Sequence, residues 1–137
     1  LIENIEETLM EVINKSVVDK DPIQNLKNIL LNQLTLAKNR RKTSLVVILG
    51  AMQFSDPVIR KMISQLLDRY LCRIEEILSQ AIRLGMVKSE INPKTSAIAF
   101  FGLIQSSITM LSYMKFDFVP DELHSQLWSI YHQGIGV

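Results

Sequence analysis

Apolar residues recur along this chain at helical spacing, and each proline stands where such a stretch begins. Ile2, Ile5, Leu9, Val12, Ile13 and Val17 repeat at intervals of mostly three and four, as do Ile23, Leu26, Ile29, Leu30, Leu34 and Ala37, the period of one face of an α-helix. A longer stripe, Ile59, Ile63, Leu66, Leu67, Tyr70, Ile74, Ile77, Leu78 and Ala81, has Lys61, Asp68, Arg69 and Glu76 on its other side. Asp21-Pro22, Asp56-Pro57 and Asn92-Pro93 each set a capping side chain before a proline that the first helical turn tolerates. Pro120 precedes Asp121-Glu122, whose charges suit a helix N-terminus. The pattern predicts an all-α chain of about six mostly antiparallel helices, the third of them short, over the apolar run from Leu45 to Phe54. That run has the periodicity of a buried helix or of a strand; with no second strand to pair with, it reads as helix.

The stretch from Pro93 to about Met114 is apolar on two opposite faces, so it must be sandwiched. Advancing about 100° per residue from Ala97, Phe100, Phe101, Ile104, Ile108 and Leu111 gather on a bulky face. Ala99, Gly102, Leu103, Ser106, Met110 and Tyr113 gather on a face of smaller side chains. The first suits a core and the second a close helix contact, within one chain or between two.

Composition narrows the function. A chain of 137 residues with 47% hydrophobic residues can bury one core and an interface. A net charge of +1 supplies no basic face for nucleic acid. Cys72 is the sole cysteine, which excludes an intrachain disulfide and fits a reducing compartment such as the cytoplasm. The apolar runs Leu45–Met52 and Ala97–Ile104 fall far short of the roughly 20 residues that span a bilayer, so no membrane segment is expected. No signal peptide is expected within these residues, which open on Leu1 rather than Met, as a fragment of a longer chain would.

Chemistry-bearing groups do not assemble. His124 and His132 are eight residues apart on one predicted helix, about 12 Å along its axis, too far to share a metal ion that needs nitrogens at about 2 Å. Glu6, Glu7, Glu11, Glu75 and Glu76 fall on polar helix sides, without a cleft to tune a general acid or base. Cys72 lies off its helix's apolar stripe, with no histidine pattern nearby. Lys38, Arg40, Arg41 and Lys42 close the second helix, where cations complement the dipole, with contact to an anionic partner or the DNA backbone as the alternative. No enzyme, cofactor or metal site is expected.

The run "AIRLGMVKSEINPKTSAIAFFGLIQSSITML" resembles the C-terminal domain of TetR-type transcriptional regulators. There a long helix ends near a glycine, a short polar link leads to an Asn/Asp-Pro start, and an Ala-rich helix with small residues every fourth position follows. The matching residues are Gly85, the link Lys88-Ser89-Glu90, Asn92-Pro93, Ala97, Gly102 and Ser106. The likeness is strongest over residues 56–135.

The resemblance implies one effector-binding and dimerisation domain over residues 1–137. Its last two helices would pair with a second copy in a four-helix interface, and DNA would be bound only through an N-terminal helix-turn-helix not visible before Asp21. The interface is expected at Ala99, Gly102, Leu103, Ser106, Met110, Tyr113, Leu127, Trp128 and Tyr131. A hydrophobic small-molecule effector is expected against Met52, Phe54, Met62, Ile63, Leu66, Tyr70, Phe101, Ile104, Gln105 and Ile108, where bulky apolar side chains meet a few hydrogen-bonding groups. Two alternatives stand beside this: a core in which Tyr70 and Gln105 are satisfied internally, and a helical scaffold module that takes no ligand.

Overall fold

The computed structural model describes residues 2–39, 57–114 and 117–137. They form five helices: α1 (Ile2–Ser16), α2 (Pro22–Asn39), α3 (Pro57–Arg83), α4 (Pro93–Tyr113) and α5 (Pro120–Ile135). The expected short helix over Leu45–Phe54 lies outside the described residues. Among those residues there is no named strand, only an isolated antiparallel bridge between Val87 and Gly136.

The helix boundaries follow from local chemistry. Asp21 Oδ1 accepts from the backbone N–H groups of Ile23 (2.9 Å) and Gln24 (3.4 Å), satisfying donors that the first turn of α2 leaves free. Asn92 Oδ1 does the same for Thr95 N–H (2.9 Å) at the start of α4. The long helix α3 stops because Gly85 adopts φ 73°, a left-handed conformation that glycine enters without a Cβ penalty. Met86 N–H then donates to Ala81 O (2.9 Å) and Gly85 N–H to Ile82 O (3.0 Å), the paired bonds of a Schellman stop. Helix α5 ends at Ile135, and the chain then folds back. Lys88 N–H donates to Ile135 O (2.9 Å) and Val137 N–H to Met86 O (3.4 Å).

Helices α2 and α3 organise the molecule. The α2 helix packs against all four of the others, and α3 packs against α1, α2 and α4. Leu26, Ile29, Leu30 and Leu34 of α2, with Ile63, Leu66, Tyr70, Ile74 and Leu78 of α3, are fully buried. Each such side chain contributes about 1.5–3 kcal/mol through its removal from water. A polar seam fastens α1 to the start of α2. Asn32 Nδ2 donates to Ser16 Oγ (2.8 Å), Asn28 Nδ2 to Ser16 O (3.2 Å), and buried Asn25 exchanges two hydrogen bonds with the Asp19 backbone.

The α5 helix lies chiefly on α2 rather than on its sequence neighbour α4. His124 Nε2 meets the Lys27 carbonyl at 2.9 Å, and burial holds its pKa below the usual histidine value. At the far end of α2, Lys38 Nζ pairs with Asp117 Oδ1 (2.8 Å), donates to the Phe118 carbonyl and sits 5.3 Å from the centre of the Phe118 ring. Lys38 thus ties two segments together, a role beyond the dipole complement expected from its place in the last turn.

Candidate functional site: a buried polar set and an open helix face

The bulky face of α4 meets the stripe of α3, as the two-faced pattern requires. Phe100, Ile104 and Ile108 are buried and Phe101 half-buried. The Phe101 ring meets Tyr70 edge-on, with centroids 5.4 Å apart and planes at 67°, the arrangement ring quadrupoles favour. Gln105 follows Phe101 by one turn and is 4% exposed; Tyr70 is wholly buried.

Neither polar group finds a partner among the described residues. Tyr70 Oη and both amide atoms of Gln105 have no hydrogen-bond partner among the described residues, and the same holds for Oε1 of Gln33, 3% exposed on α2. Leaving such groups unpaired costs about 1–3 kcal/mol each, so native structures rarely keep them without reason. Burial also pushes the Tyr70 phenol well above its ordinary pKa, which keeps it protonated as a donor. The sequence reading missed Gln33. It lies at helical spacing with the buried stripe Leu26, Ile29, Leu30 and Leu34, and a polar residue inside such a stripe was the available signal.

The expected ligand residues divide accordingly. Ile63, Leu66 and Tyr70 are buried on α3 and Ile104, Gln105 and Ile108 on α4, and Phe101 and Met62 are half-buried. Met52 and Phe54 lie outside the described residues.

The small-residue face of α4 points outward. Ala99, Gly102 and Ser106 are exposed, Leu103 is half-buried and Met110 is 62% exposed; the side chain of Tyr113 is not among those described. Because α5 stands off from α4, a groove of about 500 Å³ opens between them, lined by Ile91, Thr95, Ala99, Leu103, Ile130 and Ile135 among others. On α5 the picture differs from the expectation. Leu127, Trp128 and Tyr131 are 9%, 8% and 8% exposed, because this side of α5 supplies the core: Tyr131 meets Phe100 edge-on at 5.2 Å and bonds Ser96 on α4. The outward position is Ile130, 66% exposed.

Among the described residues no group of three or more His, Cys, Asp or Glu side chains is placed to hold a metal ion, and no helix is long and apolar enough to cross a membrane.

The model of the family described as the C-terminal region of YsiA-like proteins, a TetR-type C-terminal domain, matches residues 2–130. The chain belongs to the TetR-type regulators. It is 30% identical over 134 residues to the nucleoid occlusion factor SlmA of Vibrio vulnificus, covering 95% of this chain and 67% of that protein. The transcriptional regulator FadR of Bacillus subtilis, solved with stearoyl-CoA, superposes with a TM-score of 0.83 at 19% identity, over 98% of this chain and 74% of that one. AibR, solved with isovaleryl coenzyme A and operator DNA, gives a TM-score of 0.73 at 17% identity, over 94% and 71% of the two chains. At such identities the two structures attest the fold.

Proposed function

We propose that this chain is the effector-binding and dimerisation domain of a TetR-type transcriptional repressor. A lipophilic small molecule entering between α2, α3 and α4 releases the regulator from its operator. The observation that carries the reading is the set of unpartnered polar groups on Gln33, Tyr70 and Gln105 within an otherwise apolar interior. That mixture fixes a ligand's orientation by a few hydrogen bonds while apolar burial drives affinity. Ile63, Leu66, Phe101, Ile104 and Ile108 supply the apolar wall, with Met62 toward the start of α3. The acyl thioesters bound by the FadR and AibR proteins support a lipophilic effector. The domain works in the cytoplasm, has no catalytic role and takes no cofactor.

Two copies pair through the exposed face of α4 and the outward side of α5, with Met110 and Ile130 covered in the pair. DNA is read by helix-turn-helix modules outside this chain. Their recognition helices must meet half-sites about one duplex turn, roughly 34 Å, apart. A ligand that fits one pocket shape better than another shifts the population of the two shapes and with it that spacing. The α1 helix, fastened to α2 by Ser16 and Asn32 and to α3 through the Arg73–Asn14 hydrogen bond (3.2 Å), is placed to carry the displacement.

Thermal unfolding with a panel of acyl thioesters and other lipophilic compounds tests the pocket. Ligand at a hundredfold its dissociation constant stabilises the fold by about 2.7 kcal/mol. No shift from any member of the panel overturns the sensor reading in favour of a helical scaffold. That second reading has one observation behind it: the Vibrio vulnificus relative is named for nucleoid occlusion.

A further inference from the structure

Gln33, Tyr70 and Gln105 stand on α2, α3 and α4, three helices that pack against one another in pairs. Each is at least nine-tenths buried and has polar atoms without a partner among the described residues. The kinds of atom left over define the ligand. Tyr70 brings a hydroxyl, which can donate or accept, and Gln105 brings both an amide donor and an amide acceptor, whichever way its amide is turned. Gln33 brings a further acceptor, Oε1. Donors and acceptors are therefore both unspent. The buried polar side chains among the described residues are Ser16, Asn25, Gln33, Ser96 and Gln105, with no Lys, Arg, Asp or Glu among them.

We infer that the effector is uncharged in its buried part and carries there a hydroxyl, or a comparable group that both donates and accepts, on an apolar body. A plain alkyl chain would satisfy none of the three side chains. An ether or ester oxygen would satisfy the donors and leave the Gln33 and Gln105 acceptors bare. A carboxylate would answer the donors but enter an interior where no described cation is buried, and desolvating an unpaired charge is more costly than desolvating any neutral group. The hydroxyl is the smallest group that answers both kinds of atom.

This assignment rests on the pocket reading and is tested separately from it with three ten-carbon probes: 1-decanol, its methyl ether 1-methoxydecane, and decanoate at pH 7.5. Affinities are measured by titration calorimetry on the whole chain. The expected order places 1-decanol at least about tenfold tighter than either of the others, the weight of one hydrogen bond in such an interior. In Tyr70→Phe and Gln105→Leu both decanol and its ether lose affinity, since both accept from the donors removed, and the advantage of decanol over the ether narrows. Equal binding of decanol and methoxydecane, or tighter binding of decanoate, overturns the hydroxyl assignment and leaves the lipophilic pocket standing. Binding of none of the three overturns the assignment together with the pocket.

Discussion

Tyr131 on α5 donates its phenol proton to the Ser96 carbonyl on α4 at 3.1 Å, and its oxygen lies 2.7 Å from Ser96 Oγ. One side chain thus closes two hydrogen bonds between helices that otherwise touch little. The pair is buried, so its loss is not repaid by water. Tyr131→Phe is expected to destabilise the fold by about 1–3 kcal/mol, the range for leaving a buried hydroxyl unsatisfied. Urea unfolding gives the value, and a change under about 0.5 kcal/mol contradicts the role given to this contact.

Alkaline stability follows from the two buried phenols. Burial pushes Tyr131 from 10.0 up to about 12, against a smaller opposing effect of the Ser96 hydrogen bond, and burial raises Tyr70 as well. With folded pKa values above the unfolded one, the native state keeps protons that the unfolded chain releases. Stability is therefore fully present below pH 10 and falls as pH rises through 10 toward 12, by at most about 1.4 kcal/mol per pH unit for each phenol. Unfolding free energies of the wild type and Tyr131→Phe between pH 8 and 12 check this; the variant should show the shallower decline.

Two glycines should respond oppositely to alanine. Gly85 holds φ +73° with nothing within 4 Å of an added Cβ, so the cost of Gly85→Ala is purely conformational, about 1–2 kcal/mol. Gly102 lies inside α4 in a helical conformation, also with nothing within 4 Å. Gly102→Ala should stabilise a single copy by about 0.5–1 kcal/mol through helix propensity. Denaturant midpoints under dilute, monomeric conditions separate the two.

The same open space makes Gly102 a clean probe of association. Gly102→Leu and Ser106→Arg put bulk and charge on a face that the single chain leaves exposed, so the fold keeps its stability while the pairing of two copies weakens. Sedimentation velocity should show a wild-type dimer at micromolar concentration and both variants shifted toward monomer. A wild-type monomer there removes the dimer from the mechanism.

The sequence determined by itself what depends on neighbours along the chain. Asp21, Asn92 and Gly85 cap or stop their helices through atoms within five residues, and the apolar stripe of α3 appears as buried Ile63, Leu66, Tyr70, Ile74 and Leu78. The two faces of α4 were equally legible, because a period of 3.6 residues sorts side chains before any partner is known. Which partner each helix takes was decided only in three dimensions. The last helix carries apolar residues on more than one side, and the period cannot say which side turns inward. Its packing on α2 buries Leu127, Trp128 and Tyr131 and leaves Ile130 outside. The polar set needed the fold as well. Gln33, Tyr70 and Gln105 are distant in sequence, and whether a buried amide or phenol finds a partner depends on what three separate helices bring to it. Hydrogen bonding reaches about 3 Å, and no pattern along the chain reports distances of that size between helices.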